Sequence, residues 1–224
     1  MSTAKEIVAK ALSFVGTKES PAGSNNVIFN TDYYGHPVSG SAYPWCVTFV
    51  WDVFRLCGAS ALFYDGKKTA SCIAVQDWGK KAGLEIPKIQ GRKGDLILMD
   101  WNGNGVPDHI GIVVEQNPDG SYATVEGNTS VTSNDNGGNV MRRTRYTEDV
   151  CCMLRPRYEE EDNMEIRYQT VAQLPESLRA EAQALIDCGA LQGVNVQGDL
   201  DVTLDMLRCM IVAKRYTDWA MLRF

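Results

Sequence analysis

The chain has 224 residues, 44% of them apolar and 22% charged, an ordinary globular composition and enough chain to bury a core without staples. The net charge of −6 is uneven: residues 1–157 carry 16 basic and 16 acidic side chains, and Glu159, Glu160, Glu161 and Asp162 form an acidic run. Without a basic stripe to neutralise phosphates, nucleic acid is excluded as a partner. No stretch approaches the roughly 20 apolar residues needed to cross a bilayer, so no membrane partner is expected.

The first segment, residues 3–15, reads as an amphipathic helix, with Ile7, Val8, Ala11, Leu12 and Val15 at helical spacing and Gly16 as its stop. Lys5, Glu6 and Lys10 interrupt any apolar run there, so the segment is not a secretory signal and the protein is expected to be made in the cytoplasm. The seven cysteines fit that compartment: their number is odd, their spacing irregular, and Cys151 and Cys152 are adjacent. They are expected to be small buried hydrophobes rather than a disulfide framework.

Residues 20–44, rich in Gly, Pro, Asn, Ser and Tyr, read as a long irregular loop. A helix follows from Trp45 to Cys57, with Pro44 suited to its first turn, Gly58 just past its end, and an apolar stripe of Cys46, Phe49, Val50, Val53, Phe54 and Cys57. The next helix, Ala70 to Ala82, places Ile73, Ala74 and Trp78 on its inner face. Strands come after: Leu96–Met99, Ile110–Glu115, Tyr122–Val125, Val140–Tyr146 and Cys151–Arg155, with Asn117-Pro118-Asp119-Gly120 as a hairpin turn. Helices first and strands afterwards predict an α+β domain of helices packed on an antiparallel sheet. The acidic stretch 158–164 reads as a linker. Residues 165–224 read as a small helical module, with one helix from Pro175 to Cys188 and another capped by Thr203 with Met206, Leu207, Met210 and Ile211 inward.

Cys46 stands in the first turn of its helix, where free backbone N–H groups and the helix dipole favour a thiolate. Cys57 lies at the opposite end of the same stripe, where the dipole disfavours one. Of the two histidines, His36 lies in the long loop and His109 opens a strand, a rigid position suited to a base. Glu126 and Asn128 end the next strand of the same hairpin, so they should neighbour His109, and period-two alternation puts both on one face. A third polar group holding the base is what a nucleophile–base pair needs.

Tyr43-Pro44-Trp45-Cys46-Val47-Thr48-Phe49-Val50, Gly94-Asp95-Leu96-Ile97, Asp108-His109-Ile110-Gly111-Ile112-Val113 and Val125-Glu126-Gly127-Asn128 stand in that order. In this, residues 3–157 resemble the CHAP family of cysteine- and histidine-dependent amidohydrolases and peptidases, which have a papain-like α+β fold. The resemblance implies a catalytic domain at 1–157 that cuts an amide of bacterial peptidoglycan, as an endopeptidase or as an N-acetylmuramoyl-L-alanine amidase. Cys46 would be the nucleophile and His109 the base. Glu126 would orient His109, and Asn128 would share that task or polarise the site. Tyr43 would help hold the oxyanion, and Tyr33, Tyr34 and Trp45 would line a substrate groove. More weakly, residues 165–216 resemble a helical module at the C-terminus of such enzymes in Gram-positive bacteria and their phages. That implies wall binding at 165–224 or dimerisation through it, with monomer and dimer both open. An endolysin without a signal peptide would wait in the cytoplasm and act on the wall after release. Two alternatives remain: a cysteine hydrolase of another amide, and a non-catalytic wall-binding protein of the same fold.

No cofactor is required for that chemistry. Residues 100–108 carry oxygen side chains at Asp100, Asn102, Asn104 and Asp108, with Gly105 sixth in the row, like the front of an EF-hand calcium loop. Gly111 stands where the bidentate Glu would be. The loop is open to two readings, a structural calcium site bracing His109 or a polar hairpin loop held by its own turns. Two histidines and no Cys-x-x-Cys pair leave no structural zinc spacing.

Overall fold

The computed structural model describes residues 2–159, 168–192, 200 and 202–221. The chain divides into two compact units, Met1–Glu161 and Asp162–Phe224.

The first unit is α+β. Its helices are α1 (Ala4–Ser13), α2 (Ile28–Tyr34), α3 (Cys46–Leu56) and α4 (Cys72–Lys81). Its strands are β1 (Glu85–Ile86), β2 (Leu96–Met99), β3 (His109–Gln116), β4 (Tyr122–Thr129), β5 (Asn139–Arg145) and β6 (Val150–Leu154), which pair antiparallel in the order β1-β6-β2-β3-β4-β5. Alternation along the strands divides the core. Leu96, Leu98, Ile110, Ile112 and Val125 face the helices, while Ile97, Met99, Val113 and Tyr122 form a smaller cluster on the other side.

α1 starts as its sequence dictates. Thr3 accepts from the Glu6 N–H and the Glu6 carboxylate accepts from the Thr3 N–H, a reciprocal capping box. Two expectations for this unit need correction. Residues 20–44 hold α2, a short helix with no side-chain cap. It forms because Phe29, fully buried, stacks on Trp45 at 5.6 Å and meets Phe49 edge-on at 5.0 Å. In α4, Ile73 is half exposed and the inner face is Cys72, Val75, Gln76, Trp78 and Gly79.

α3 lies close on the sheet because β4 has Gly127 beneath it. A Cβ there would stand 2.6 Å from the Cβ of Phe49 and 2.9 Å from the Trp45 ring. Gly111 plays the same part on β3, where a Cβ would sit 2.7 Å from the Cγ of Glu126. Both glycines bring α3 and the two central strands within reach of one another.

The second unit contains α5 (Glu176–Asp187) and α6 (Leu204–Met221). Leu174, Ala182, Leu185, Leu191, Leu200, Val202, Leu207 and Ile211 make its core. Thr203 accepts from the Met206 N–H at 3.2 Å, as a capping residue should, but Met206 itself is exposed rather than inward. Most of the acidic linker lies outside the described residues.

Candidate active site

Cys46 is the first residue of α3, following Trp45 at the N-cap. The N–H groups of its first turn have no helical acceptor, so the thiol sits where an anion is favoured. The turn before it is tied down by Asn30, a fully buried side chain. The Asn30 amide donates to the carbonyls of Asn25 and Tyr43 at 2.9 Å each and accepts from the Thr48 hydroxyl at 2.8 Å. One side chain thus locks α2, the Tyr43 turn and α3 together, and the backbone at Cys46 is held from both sides.

His109 opens β3 and Glu126 lies on β4, both completely buried. His109 Nε2 is 3.1 Å from Glu126 Oε2. Its other ring nitrogen, Nδ1, is buried without a hydrogen-bond partner among the described residues. Glu126 is gripped on its far side by Arg145, from β5. Arg145 Nε donates to Oε1 at 2.7 Å and Nη2 to Oε2 at 2.5 Å, and the Thr124 hydroxyl donates to Oε1 at 2.6 Å. The Arg145 guanidinium also lies 4.8 Å over the Trp101 ring, whose centroid is 6.3 Å from that of His109. The result is a row of groups, Arg145, Glu126, His109 and Cys46, of alternating charge.

The electrostatics follow from that row. Burial opposes the charge on Glu126, but the hydrogen bonds and charges of Arg145 and His109 hold its pKa down at about 2. Burial also opposes the imidazolium, yet Cys46 and Glu126 raise His109 to about 9. The Cys46 thiol falls well below its usual value: a hydrogen bond from Cys72 is the largest cause, burial opposes it, and His109 and the Val47 N–H add to it. Each group thus favours the charged form of the other, the thiolate of Cys46 and the imidazolium of His109.

Two pH dependences follow. The stability that Glu126 contributes is present above about 4.5 and lost as pH falls through about 2; that of His109 is present below about 6.5 and lost as pH rises through about 9. Both are fully present only between those inner values. A reaction that used both groups should rise with the Cys46 thiolate and fall again around pH 9 as His109 loses its proton. Rates across that range at constant ionic strength check this; a rate still climbing well above pH 9 would contradict it.

The other expected site residues are placed as follows. Asn128 adopts a left-handed conformation, φ +58°. Its amide donates to the Asp135 carbonyl at 3.1 Å and accepts from the Gly138 N–H at 3.3 Å. Its side-chain hydrogen bonds thus organise the 133–138 loop, because the register breaks between Glu126 and Thr129. Trp45, expected in a groove, is fully buried, with its indole N–H donating to Glu19 at 2.7 Å. Tyr43 is half-buried and meets Tyr34 edge-on at 5.2 Å, and Tyr34 meets Tyr33 at 4.8 Å. His36 is exposed in its loop.

In the loop before His109, the oxygens of Asp100 accept from the N–H groups of Asn102, Gly103 and Gly105. Asn102 accepts from Asn104, Asn104 from Val106, and Asp108 from Trp101. The loop's own turns use these oxygens. Among the described residues no group of three or more His, Cys, Asp or Glu gathers as a metal site.

Arg145 is the site residue that sequence reasoning missed. The one available signal was the strand alternation that puts residues 141, 143 and 145 on one face opposite residues 122, 124 and 126.

Residues 38–128, about two fifths of the chain, match the CHAP domain family. No curated protein matches the chain. Among solved structures, it is similar to the endolysin LysIME-EF1, with 19% identity and a TM-score of 0.49 over 71% of this chain and 67% of that one. It is also similar to Ly7917, with 16% identity and a TM-score of 0.40 over 69% of this chain and 63% of that one. The structure of Ly7917 with the hydrolyzing product of MDP gives 16% identity and a TM-score of 0.39 over the same shares.

Proposed function

Taking residues 38–128 as a CHAP domain, we propose that the chain is a peptidoglycan hydrolase of endolysin type, cleaving an amide of the bacterial wall with Cys46 as nucleophile. The observation that carries this reading is the row Cys46, His109, Glu126 and Arg145, in which each group favours the charged form of the next.

The Cys46 thiolate attacks the scissile carbonyl carbon. The backbone N–H of Cys46, free in the first turn of α3, holds the developing oxyanion, and Tyr43, in the turn just before α3, is the side-chain candidate to help. His109 gives its proton to the leaving amine, which departs and leaves an acyl-enzyme. Neutral His109 then takes a proton from water, the hydroxide attacks the thioester, and Cys46 leaves as thiolate. Glu126 fixes the ring and balances the imidazolium throughout. The half-exposed run of Tyr33, Tyr34 and Tyr43 offers a surface beside the nucleophile helix for glycan or peptide. The second unit, with its own core, would supply contact with the wall or with a second copy.

The test is mass spectrometry of fragments released from purified Gram-positive walls. A free L-alanine amine with an intact lactyl sugar marks an amidase, and a split stem or bridge marks an endopeptidase. Walls that are bound but yield no fragments would favour a non-catalytic wall-binding protein.

A further inference from the structure

The mechanism leaves a second buried thiol unused. Cys72 Sγ lies 3.9 Å from Cys46 Sγ, and the two residues, 26 apart in sequence, are each the first residue of a helix, α4 and α3. Both are nearly buried, at 8% and 5% exposure. The five remaining thiols are placed otherwise. Cys57 is at the far end of α3 against the Glu6 carbonyl, Cys151 accepts from Gln76, Cys152 is buried in β6, and Cys188 and Cys209 are exposed in the second unit.

We infer that Cys46 and Cys72 form an oxidative modification site, in which a hydroperoxide converts the nucleophile to a disulfide with Cys72 and so switches the enzyme off reversibly. This rests on Cys46 being the nucleophile. A disulfide needs about 2.05 Å between sulfurs, so from 3.9 Å they must approach by roughly 2 Å.

The steps balance. The Cys46 thiolate attacks one peroxide oxygen, the O–O bond breaks, and hydroxide leaves to take a proton and become water. Cys46 is now a sulfenic acid. Cys72 sulfur attacks the Cys46 sulfur, the S–O bond breaks, and the departing hydroxide takes the Cys72 proton as a second water. Two thiols have lost two electrons and the peroxide has gained them. The order of events suits the site. While Cys46 is a thiolate, its hydrogen bond with Cys72, followed by burial, holds Cys72 protonated. Once Cys46 carries a neutral sulfenic acid that restraint is gone, and the N-terminus of α4 favours the Cys72 thiolate as attacking group. Closing the disulfide also spares Cys46 from sulfinic acid, which a thiol reductant cannot reverse.

The experiment treats the full chain and its Cys72→Ser and Cys72→Ala variants with hydrogen peroxide, removes the peroxide, alkylates free thiols and maps peptides without reduction. A second portion is reduced with dithiothreitol and assayed on walls, each variant against its own starting rate. The wild type should yield a linked Cys46–Cys72 peptide and recover most of its rate. Whichever variant folds should carry Cys46 as sulfinic acid and recover several-fold less. Cys46 oxidised with no linked peptide in the wild type, a link from Cys46 to another cysteine, or equal recovery in the variants would overturn the proposal. The peptide map needs no lytic activity, so it separates failure of this inference from failure of the nucleophile assignment, which would show as a Cys46→Ala variant that still lyses walls.

Discussion

Cys46→Ala is expected to lower the rate of wall clearing by about 10⁴- to 10⁶-fold, the scale on which a covalent mechanism loses its nucleophile. The fold should survive. Ala is the best helix former, the site is the first turn of α3, and the side chain removed is small. Far-ultraviolet circular dichroism and a melting temperature near the wild type, beside absent clearing, are the expected pair of results. His109 and Glu126 would remain in place, so any residual rate measures what binding and the oxyanion donors achieve without a covalent step. A variant that cleared walls at even a tenth of the wild-type rate would remove Cys46 from the reaction.

Arg145→Met should act first on stability. Arg145 is 4% exposed and Glu126 fully buried, joined by two hydrogen bonds. Met keeps much of the apolar bulk over Trp101 but leaves a buried carboxylate short of its counter-charge. Removing one partner of such a pair costs about 3–5 kcal/mol, which for a unit of this size lowers Tm by roughly 10 °C. Glu126→Gln alone should also destabilise, since it leaves Arg145 buried and unpaired. The double variant should lose less than the sum of the two, because no lone charge remains. Calorimetry on the three variants checks this, and additive losses would mean that Arg145 and Glu126 do not act as a unit. At temperatures where each variant is folded, clearing should still fall, since Glu126 without Arg145 is no longer fixed against His109.

How much of this was legible depends on the range of the interaction. Cys46 at a helix start could be read from Pro44 and the apolar stripe, because helix periodicity and termini are local. The approach of Glu126 to His109 could be read from the length of one hairpin. Two residues later, at Asn128, the register shifts and the backbone turns left-handed, which nothing in Gly127-Asn128-Thr129 announces. α2 was hidden for a different reason. Its seven residues lie among turn formers and are held by Phe29 packing on Trp45 and Phe49, a tertiary cause overriding weak local preference. That same packing moves Trp45 from the expected groove to the core. Arg145 reads in sequence as one of several arginines on a solvated strand. Its role depends on the pairing of β5 with β4. Cys72 likewise shows no local mark of its neighbour, since its contact with Cys46 exists only once α3 and α4 converge.

The central claim, that Cys46 is held as a thiolate in a site built to use it, is tested most directly by alkylation with iodoacetamide at pH 6, followed by peptide mapping. An ordinary thiol with a pKa near 8.5 is well under about 1% ionised there. Cys46 should be modified first despite its burial, and clearing should fall in proportion to its modification. Labelling that follows exposure alone, with Cys188 and Cys209 ahead and Cys46 untouched while clearing persists, would contradict the account.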